Sequence, residues 1–341
     1  MSLDLASERK MVSPIRILNV EPFGFSSDAR DKLSAIGELT ELSLSRSELL
    51  SQLPAYDVLI VRFGQRIDRE IIDAGTRLRA IVTAATGVDH IDVDYAHSRR
   101  IEVLSLRGET EFLETVSATA EHTWALLLAL VRRIPQAIES VHSGDWKRDL
   151  FRGHDLQGKR IGIVGLGRIG RKIALYARAF GLQVAAFDPY ACQWIERVER
   201  CSTLSELLGQ SDIITLHVPL NNATVNIIGR EQLLMLPSGA FLINTSRGEV
   251  LNENALVDSL LSRHLAGAAV DVLCYENTTE GIHQSPLLAY ARAHDNLIIT
   301  PHIGGGTHES MAKTEAFMAW KLAKFLGIAE HHQGANLPGQ L

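Results

Sequence analysis

The sequence predicts an α/β protein made of two doubly wound parallel-sheet domains, and three observations carry that prediction. Short apolar runs alternate with amphipathic helical stretches from Ile15 to the end of the last helix, the pattern of parallel strands joined by crossover helices. At 341 residues the chain is long for a single hydrophobic core, so two domains are expected. Near its middle, Lys159–Asp188 strings together strand, glycine turn, helix and strand as one unit.

In the first half, strands are expected at Ile15–Val20, Val58–Val61, Ala80–Ala84 and Ile101–Leu104. Helices are expected at Ser27–Ile36, Asp68–Ala74 and Val93–Ser98. This half has no glycine-rich phosphate loop. Ala84-Ala85-Thr86-Gly87-Val88-Asp89-His90 follows its third strand. Small residues at a strand's carboxyl end leave N–H groups available to an anion, and a plain tight turn reads equally well. Arg107–Glu114 is polar and reads as irregular. A long helix is then expected from about Val116 to His142, largely buried through Trp124–Val131 and lying between the two domains. Glu121 and His122 within it read as structural residues at a domain boundary. Ser143–Gly158 reads as a loop.

The central unit is the most specific signal. Ile161–Val164 is an apolar strand, and Gly165, Gly167 and Gly170 follow in the G-x-G-x-x-G spacing. The first glycine allows the tight turn, the second lets the backbone approach a pyrophosphate, and the third lets helix and strand pack closely. Ile169, Ile173, Ala174, Ala177 and Phe180 give the next helix one apolar face, ending at Gly181. The helix start presents unpaired N–H groups and a positive dipole end to phosphates. A second strand, Val184–Phe187, ends in Asp188, 18 residues beyond Gly170. A carboxylate there accepts both ribose hydroxyls and repels a 2′-phosphate, so NAD is expected over NADP.

Further strands are expected at Ile213–His217, Ala240–Thr245, Ala266–Asp271 and Leu297–Thr300, bringing this sheet to six. Helices are expected around Leu204–Leu208, Arg230–Leu234, Glu253–Ser262 and Thr307–Leu326, and the remaining tail, with His331 and His332, reads as loose and solvated. Ligands of an open parallel sheet bind outside its carboxyl edge. Arg247, Glu276 and His302 each fall just after a predicted strand. An arginine forks onto a carboxylate or carbonyl oxygen. A histidine exchanges a proton with an alcohol or ketone, and a nearby carboxylate orients its ring. Singly, each has an ordinary alternative: a surface arginine, a solvated glutamate, a helix-capping histidine.

Composition narrows the function classes. The chain is 46% hydrophobic and 22% charged, with a net charge of −6 and so no basic footprint for nucleic acid. Cys192, Cys201 and Cys274 show neither metal nor disulfide spacing. Residues 1–13 contain Glu8, Arg9 and Lys10 and no apolar stretch, and Trp124–Val131 is too short to span a bilayer. No signal peptide, no membrane partner, no metal and a cytoplasmic location are expected.

Five segments together resemble the D-isomer-specific 2-hydroxyacid dehydrogenases. They are Gly165-Leu166-Gly167-Arg168-Ile169-Gly170, His217-Val218-Pro219-Leu220, Asn244-Thr245-Ser246-Arg247-Gly248, Asp271-Val272-Leu273 with Glu276, and Thr300-Pro301-His302-Ile303-Gly304-Gly305. Their order and spacing agree, and the likeness runs from about Ile15 to about Leu326. It is nearest to phosphoglycerate-dehydrogenase-like members without a regulatory domain. The resemblance implies a Rossmann NAD-binding domain (108–301) inserted in a flavodoxin-like substrate domain (1–107 and 302–341), with cleft closure about the two crossings. It implies that Arg247 holds the substrate, His302 is the acid/base and Glu276 is its partner. Arg168 and Ile169 would meet the pyrophosphate through their backbone, and Asp188 the ribose. Val218, Thr245 and Asp271 would line the nicotinamide side, with Pro219, Ser246, His302, Gly304 and Gly305 completing the cofactor contacts. Ala85, Thr86 and Gly87 would bind the substrate carboxylate. A homodimer is also implied, with the apolar helix after Val116 contributing.

Two departures stand out. Asn277 replaces the family's usual proline after the glutamate, and Glu109-Thr110-Glu111-Phe112-Leu113-Glu114 lengthens the link into the long helix. Extra length at a cleft mouth alters what enters, so Arg107 and Glu109 are candidates for substrate contact, with plain loop solvation as the simpler expectation. The expected function is NAD-dependent interconversion of a D-2-hydroxy acid and its 2-oxo acid. The alternative is an NAD(H)-sensing binding protein of corepressor type on the same fold. Formate dehydrogenases of this family carry glutamine where Glu276 stands.

Overall fold

A computed structural model of the chain describes residues 14–191, 194–274, 276 and 279–328. The expectations placed on residues 1–13, Cys192, Asn277 and the tail with His331 and His332 lie outside the described residues. The chain forms two compact units, one from residues up to Arg107 together with those from Met311 on, the other Gly108–Ser310.

The first unit is a five-stranded parallel sheet: β1 Arg16–Asn19, β2 Glu38–Glu41, β3 Val58–Ile60, β4 Ala80–Val82 and β5 Glu102–Leu104. Its order, β2-β1-β3-β4-β5, is the flavodoxin-like one. The β3 and β4 residues are buried throughout, as expected of strands covered on both faces. Helices α1 Ser27–Ile36, α2 Arg46–Gln52, α3 Arg69–Ala74 and α4 Val93–Ser98 connect them, each started by a side-chain cap: Ser26, Ser45, Asp68 and Asp92. The C-terminal helix, His308–Phe325, brings the buried Glu315 to Arg62 and to the N–H of Ser26. The sequence reading missed β2 and α2. β2 is a polar edge strand, Glu-Leu-Thr-Glu, with no apolar run to betray it. α2 did carry a signal, the Ser45-x-x-Glu48 capping box.

The second unit is a seven-stranded sheet: β6 Arg160–Val164, β7 Gln183–Phe187, β8 Glu199–Arg200, β9 Ile213–Leu216, β10 Ala240–Asn244, β11 Leu265–Val270 and β12 Leu297–Ile299. All pairs are parallel, in the order β12-β11-β10-β9-β6-β7-β8. This is the Rossmann order extended by one strand, with its reversal point between β6 and β9. Seven strands replace the expected six because β8 is two exposed residues, invisible to a search for apolar runs. Register then fixes the site. Phe187, Val164, Leu216, Asn244, Val270 and Ile299 pair in one row across six strands. Whatever follows each strand therefore emerges along a single edge.

Two helical expectations are corrected. Gly108 turns the chain with φ +86°, and Thr110–Glu114 forms a short helix, α5, with Leu113 buried, where irregular structure was expected. The long helix is two: α6 Ala118–Val131 and α7 Ile134–His142. Arg133 is left-handed, φ 54°, and Pro135 opens α7. Proline lacks an N–H and disfavours helical geometry in the residue before it, so a break there is the low-energy solution. Trp124, Leu126, Leu127 and Leu130 of α6 pack with Ile161, Ile163, Ile173 and Ile243 of their own unit. α7 leaves Ile134, Ile138 and Val141 exposed.

Candidate active site

The turn after β6 is built around three glycines with different neighbours. Gly165 has φ +91°, and a Cβ there would lie 2.5 Å from the His217 carbonyl oxygen. At Gly170 a Cβ would lie 2.2 Å from the Gly165 oxygen, so the helix can sit on the strand only without one. At Gly167 a Cβ would meet nothing within 4 Å. Packing within the chain does not explain that glycine. Helix α8, Arg168–Ala179, starts at Gly167 with no side-chain cap, leaving first-turn N–H groups for an anion. The Arg168 guanidinium turns back to the Val116 carbonyl at 2.8 Å, and burial lowers its pKa, partly offset by Glu114. At the end of β7, the Asp188 carboxylate accepts the Leu166 N–H at 2.8 Å and the Tyr190 N–H at 2.9 Å. That fastens the acid to the glycine turn.

Next along the edge, His217 follows β9, its Nε2 2.9 Å from Thr215 Oγ1. Its Nδ1 is shut off from solvent without a partner among the described residues, and burial pushes its pKa down to about 3. His217 is therefore neutral and spaces the two turns, and Val218 and Pro219 continue from it. After β10, Asn244 braces the turn: its amide donates to the Arg247 carbonyl at 2.8 Å and its oxygen accepts from Ser246 N–H and Oγ. Arg247 is half-buried. Gly248 presses on the next turn; a Cβ would lie 2.1 Å from the Leu273 carbonyl carbon. Thr245 Oγ1 lies 2.7 Å from Thr123 Oγ1 of α6.

The turns after β11 and β12 interlock. Asp271, 1% exposed, accepts from Thr300 Oγ1 at 2.5 Å, the Ile303 N–H at 2.9 Å and the Gly304 N–H at 2.7 Å. His122 Nε2 stands 3.2 Å from the same carboxylate. Burial pushes the Asp271 carboxyl up, but the donors from His122, Thr300, Ile303 and Gly304 outweigh it and hold it below the usual carboxylate range. It is an anion. Glu276 accepts the Leu273 N–H at 3.0 Å through Oε2, and its Oε1 meets His302 Nδ1 in a short hydrogen bond. Gly305 is open, with nothing within 4 Å of a Cβ.

Thus the structure brings Glu276 and His302 into contact and sets Arg247, Thr245, Ser246, Asp271, Gly304 and Gly305 on the edge that carries the glycine turn. Ala85, Thr86 and Gly87 belong to the first unit, after β4. Their N–H groups donate no hydrogen bond among the described residues, three in succession. Glu109 stands at the N-cap of α5, and its side chain makes no capping hydrogen bond. Cys274 is no nucleophile: burial and the Glu253, Glu249 and Glu276 carboxylates push its thiol up to about 12. A cavity of about 610 Å³, lined by Arg133, Arg152, Phe241 and Arg263 among others, opens at the amino edge of this sheet.

A family model for the D-isomer-specific 2-hydroxyacid dehydrogenase NAD-binding domain matches residues 124–304, more than half of the chain. A hydroxypyruvate reductase of Thermotoga maritima is 35% identical over 85% of this chain and 92% of its own length. The chain belongs to the D-isomer-specific 2-hydroxyacid dehydrogenase family. A D-3-phosphoglycerate dehydrogenase of Methanocaldococcus jannaschii is 36% identical over 95% of this chain, which spans 60% of that relative's length. Among solved structures, D-lactate dehydrogenase from Aquifex aeolicus, complexed with NAD and lactic acid, matches with a TM-score of 0.79 at 27% identity, covering 96% of this chain and all of that one. NAD is the coenzyme of this 2-hydroxyacid dehydrogenase domain, and the open Gly167, the uncapped α8 and the tethered Asp188 fit it.

Sequence reasoning missed two supports of this family's site. His122, read from the sequence as a structural residue at a domain boundary, reaches Asp271, and Thr123, not singled out there, reaches Thr245. Glu253, 7% exposed, accepts the Cys274 N–H and the Ser285 hydroxyl, each at 2.7 Å, and so anchors the turn that carries Glu276. The sequence reading placed it only at the start of the helix expected at Glu253–Ser262, and the structure makes it a first-turn acid after the Asn252 cap.

Proposed function

We propose that the chain is an NAD-dependent dehydrogenase interconverting a D-2-hydroxy acid and its 2-oxo acid, with Arg247, Glu276 and His302 as the catalytic residues. The carrying observation is the His302–Glu276 pair, seated on the sheet edge that bears the dinucleotide turn. NADH, when bound, supplies the hydride for C2 of the oxo acid. Arg247 forks onto the substrate carboxylate and the carbonyl oxygen, drawing charge toward that oxygen. His302 has Nδ1 committed to Glu276, so the proton reaches the oxygen from Nε2. Glu276 keeps the ring from rotating, much as a carboxylate does in a catalytic triad. Oxidation runs these steps in reverse.

Ala85, Thr86 and Gly87 are assigned to the substrate carboxylate on their three unengaged N–H groups. The pyrophosphate goes to the Gly167–Ile169 backbone and the ribose hydroxyls to Asp188; Val218, Pro219, Thr245, Ser246, Asp271, Gly304 and Gly305 line the nicotinamide end. A cytoplasmic homodimer completes the reading, on the free thiols of Cys201 and Cys274 and the apolar stripe of Ile134, Ile138 and Val141, each more than 40% exposed. The Thermotoga relative's name makes hydroxypyruvate one substrate to try. The test is nicotinamide absorbance with purified protein, NADH or NADPH, and hydroxypyruvate, phosphohydroxypyruvate, glyoxylate and larger 2-oxo acids. Turnover of one of them with NADH supports the reading. NADH binding with every acid inert would favour the binding-protein alternative.

A further inference from the structure

His302 carries a backbone strain that one residue holds in place. Its φ is +53°, a left-handed conformation that a side chain with a Cβ adopts only under constraint. Asp271 supplies that constraint from three directions. Its carbonyl accepts the His302 N–H at 2.8 Å. Its carboxylate takes the Thr300 hydroxyl on one side of His302, and the N–H groups of Ile303 and Gly304 on the other. The carboxylate's orientation is therefore the orientation of the whole Thr300–Gly304 turn.

That carboxylate has one more neighbour. His122, in the second turn of α6, places Nε2 3.2 Å from Asp271 Oδ1 and 3.0 Å from Thr300 Oγ1. Thr300 gives its single hydroxyl proton to Asp271, so its oxygen can only accept from His122. Both oxygens facing Nε2 are acceptors, and Nε2 must carry a proton. Residue 304 is glycine where that carboxylate sits: a Cβ there would lie 2.9 Å from Asp271 Oδ2.

We propose that His122 is a positioning residue for the reaction: its Nε2–H fixes the Asp271 carboxylate, which locks the turn that presents His302 to Glu276 and to substrate. The proposal rests on His302 being the acid/base. It assigns α6, the helix that elsewhere packs the sheet, a duty toward the reacting end of the site.

The test compares His122→Leu with His122→Gln, whose amide N–H reaches a similar position, in the full-length protein with folding checked by circular dichroism. His122→Leu is expected to lower kcat by about tenfold to a hundredfold, the scale of a small misplacement of a reacting group, while the NADH Kd from fluorescence stays within about twofold. His122→Gln is expected to recover most of kcat. A second readout needs no turnover: the downfield proton NMR signal of the His302–Glu276 bond should be lost or shifted in His122→Leu and kept in His122→Gln. Wild-type kcat and an unmoved signal in His122→Leu would overturn the proposal, as would equal damage in both variants. If wild-type protein turns over no acid, the acid/base reading fails, and the NMR comparison still decides whether His122 positions His302.

Discussion

Two alanine substitutions one turn apart separate a glycine needed for packing from one needed for a ligand. At Gly170 the added Cβ would lie 2.2 Å from the Gly165 carbonyl oxygen and 3.1 Å from Ile163 Cγ2. The first is backbone and cannot step aside, so α8 must lift from β6. Overpacking of this kind costs about 1–3 kcal/mol, a fall in Tm of roughly 2–10 °C for a unit of this size. At Gly167 the added Cβ meets nothing, and its φ of −72° suits alanine. Loss of a glycine N-cap costs about 1 kcal/mol at most. Yet in the proposed placement that space is where the pyrophosphate approaches the α8 N-terminus. Gly167→Ala is therefore expected to keep the wild-type Tm within a few degrees and to lose at least about tenfold in NADH affinity, about 1.4 kcal/mol. Gly170→Ala is expected to lose both. Calorimetry and NADH fluorescence titration on the two variants decide it. Wild-type NADH affinity in Gly167→Ala would refute the placement of the coenzyme on this turn.

Other outcomes follow from the same geometry. His302→Ala should cut turnover by about 10²–10⁴-fold with the NADH Kd unchanged; turnover within tenfold of wild type would remove His302 from proton transfer. Asp188→Ser should shift the kcat/KM ratio of NADH to NADPH toward NADPH by about tenfold or more, since a repelling carboxylate is lost; an unmoved ratio would place the ribose elsewhere. Asp271 has a folded pKa below its unfolded value of about 3.9, so its stabilisation is present above that value and fades as pH falls through the folded pKa. Asp271→Asn should then be destabilised by about 1–3 kcal/mol at neutral pH, with a gap in Tm that narrows below about pH 4; a constant gap would mean the anion is not what stabilises. Val141→Glu should give a monomer by light scattering, and an unchanged mass would clear the α7 face of a role in self-association.

The sequence was legible where structure has a local cause. The glycine turn, its strands and its helix needed one another at fixed spacing, and each fell where read. Arg247, Glu276 and His302 follow strands that end on one edge, as read, because strand ends in a parallel sheet share it. What stayed hidden depends on side chains from distant elements meeting. Nothing near His122 in the chain announces Asp271, nearly 150 residues away, and Glu253 looks like an ordinary first-turn acid until its partners, Cys274 and Ser285, are seen. β2 and β8 escaped because edge strands are polar where they meet water. The helix break at Arg133 escaped although Pro135 was in plain view, because the apolar run before it suggested continuity.

The most direct test of the central claim is the product itself. The protein is incubated with NADH dideuterated at C4 and the 2-oxo acid it turns over fastest, and the product's configuration and labelling are read by chiral chromatography and mass spectrometry. The account predicts a D-2-hydroxy acid carrying one deuterium at C2. An L product, or a product without deuterium at C2, would contradict it.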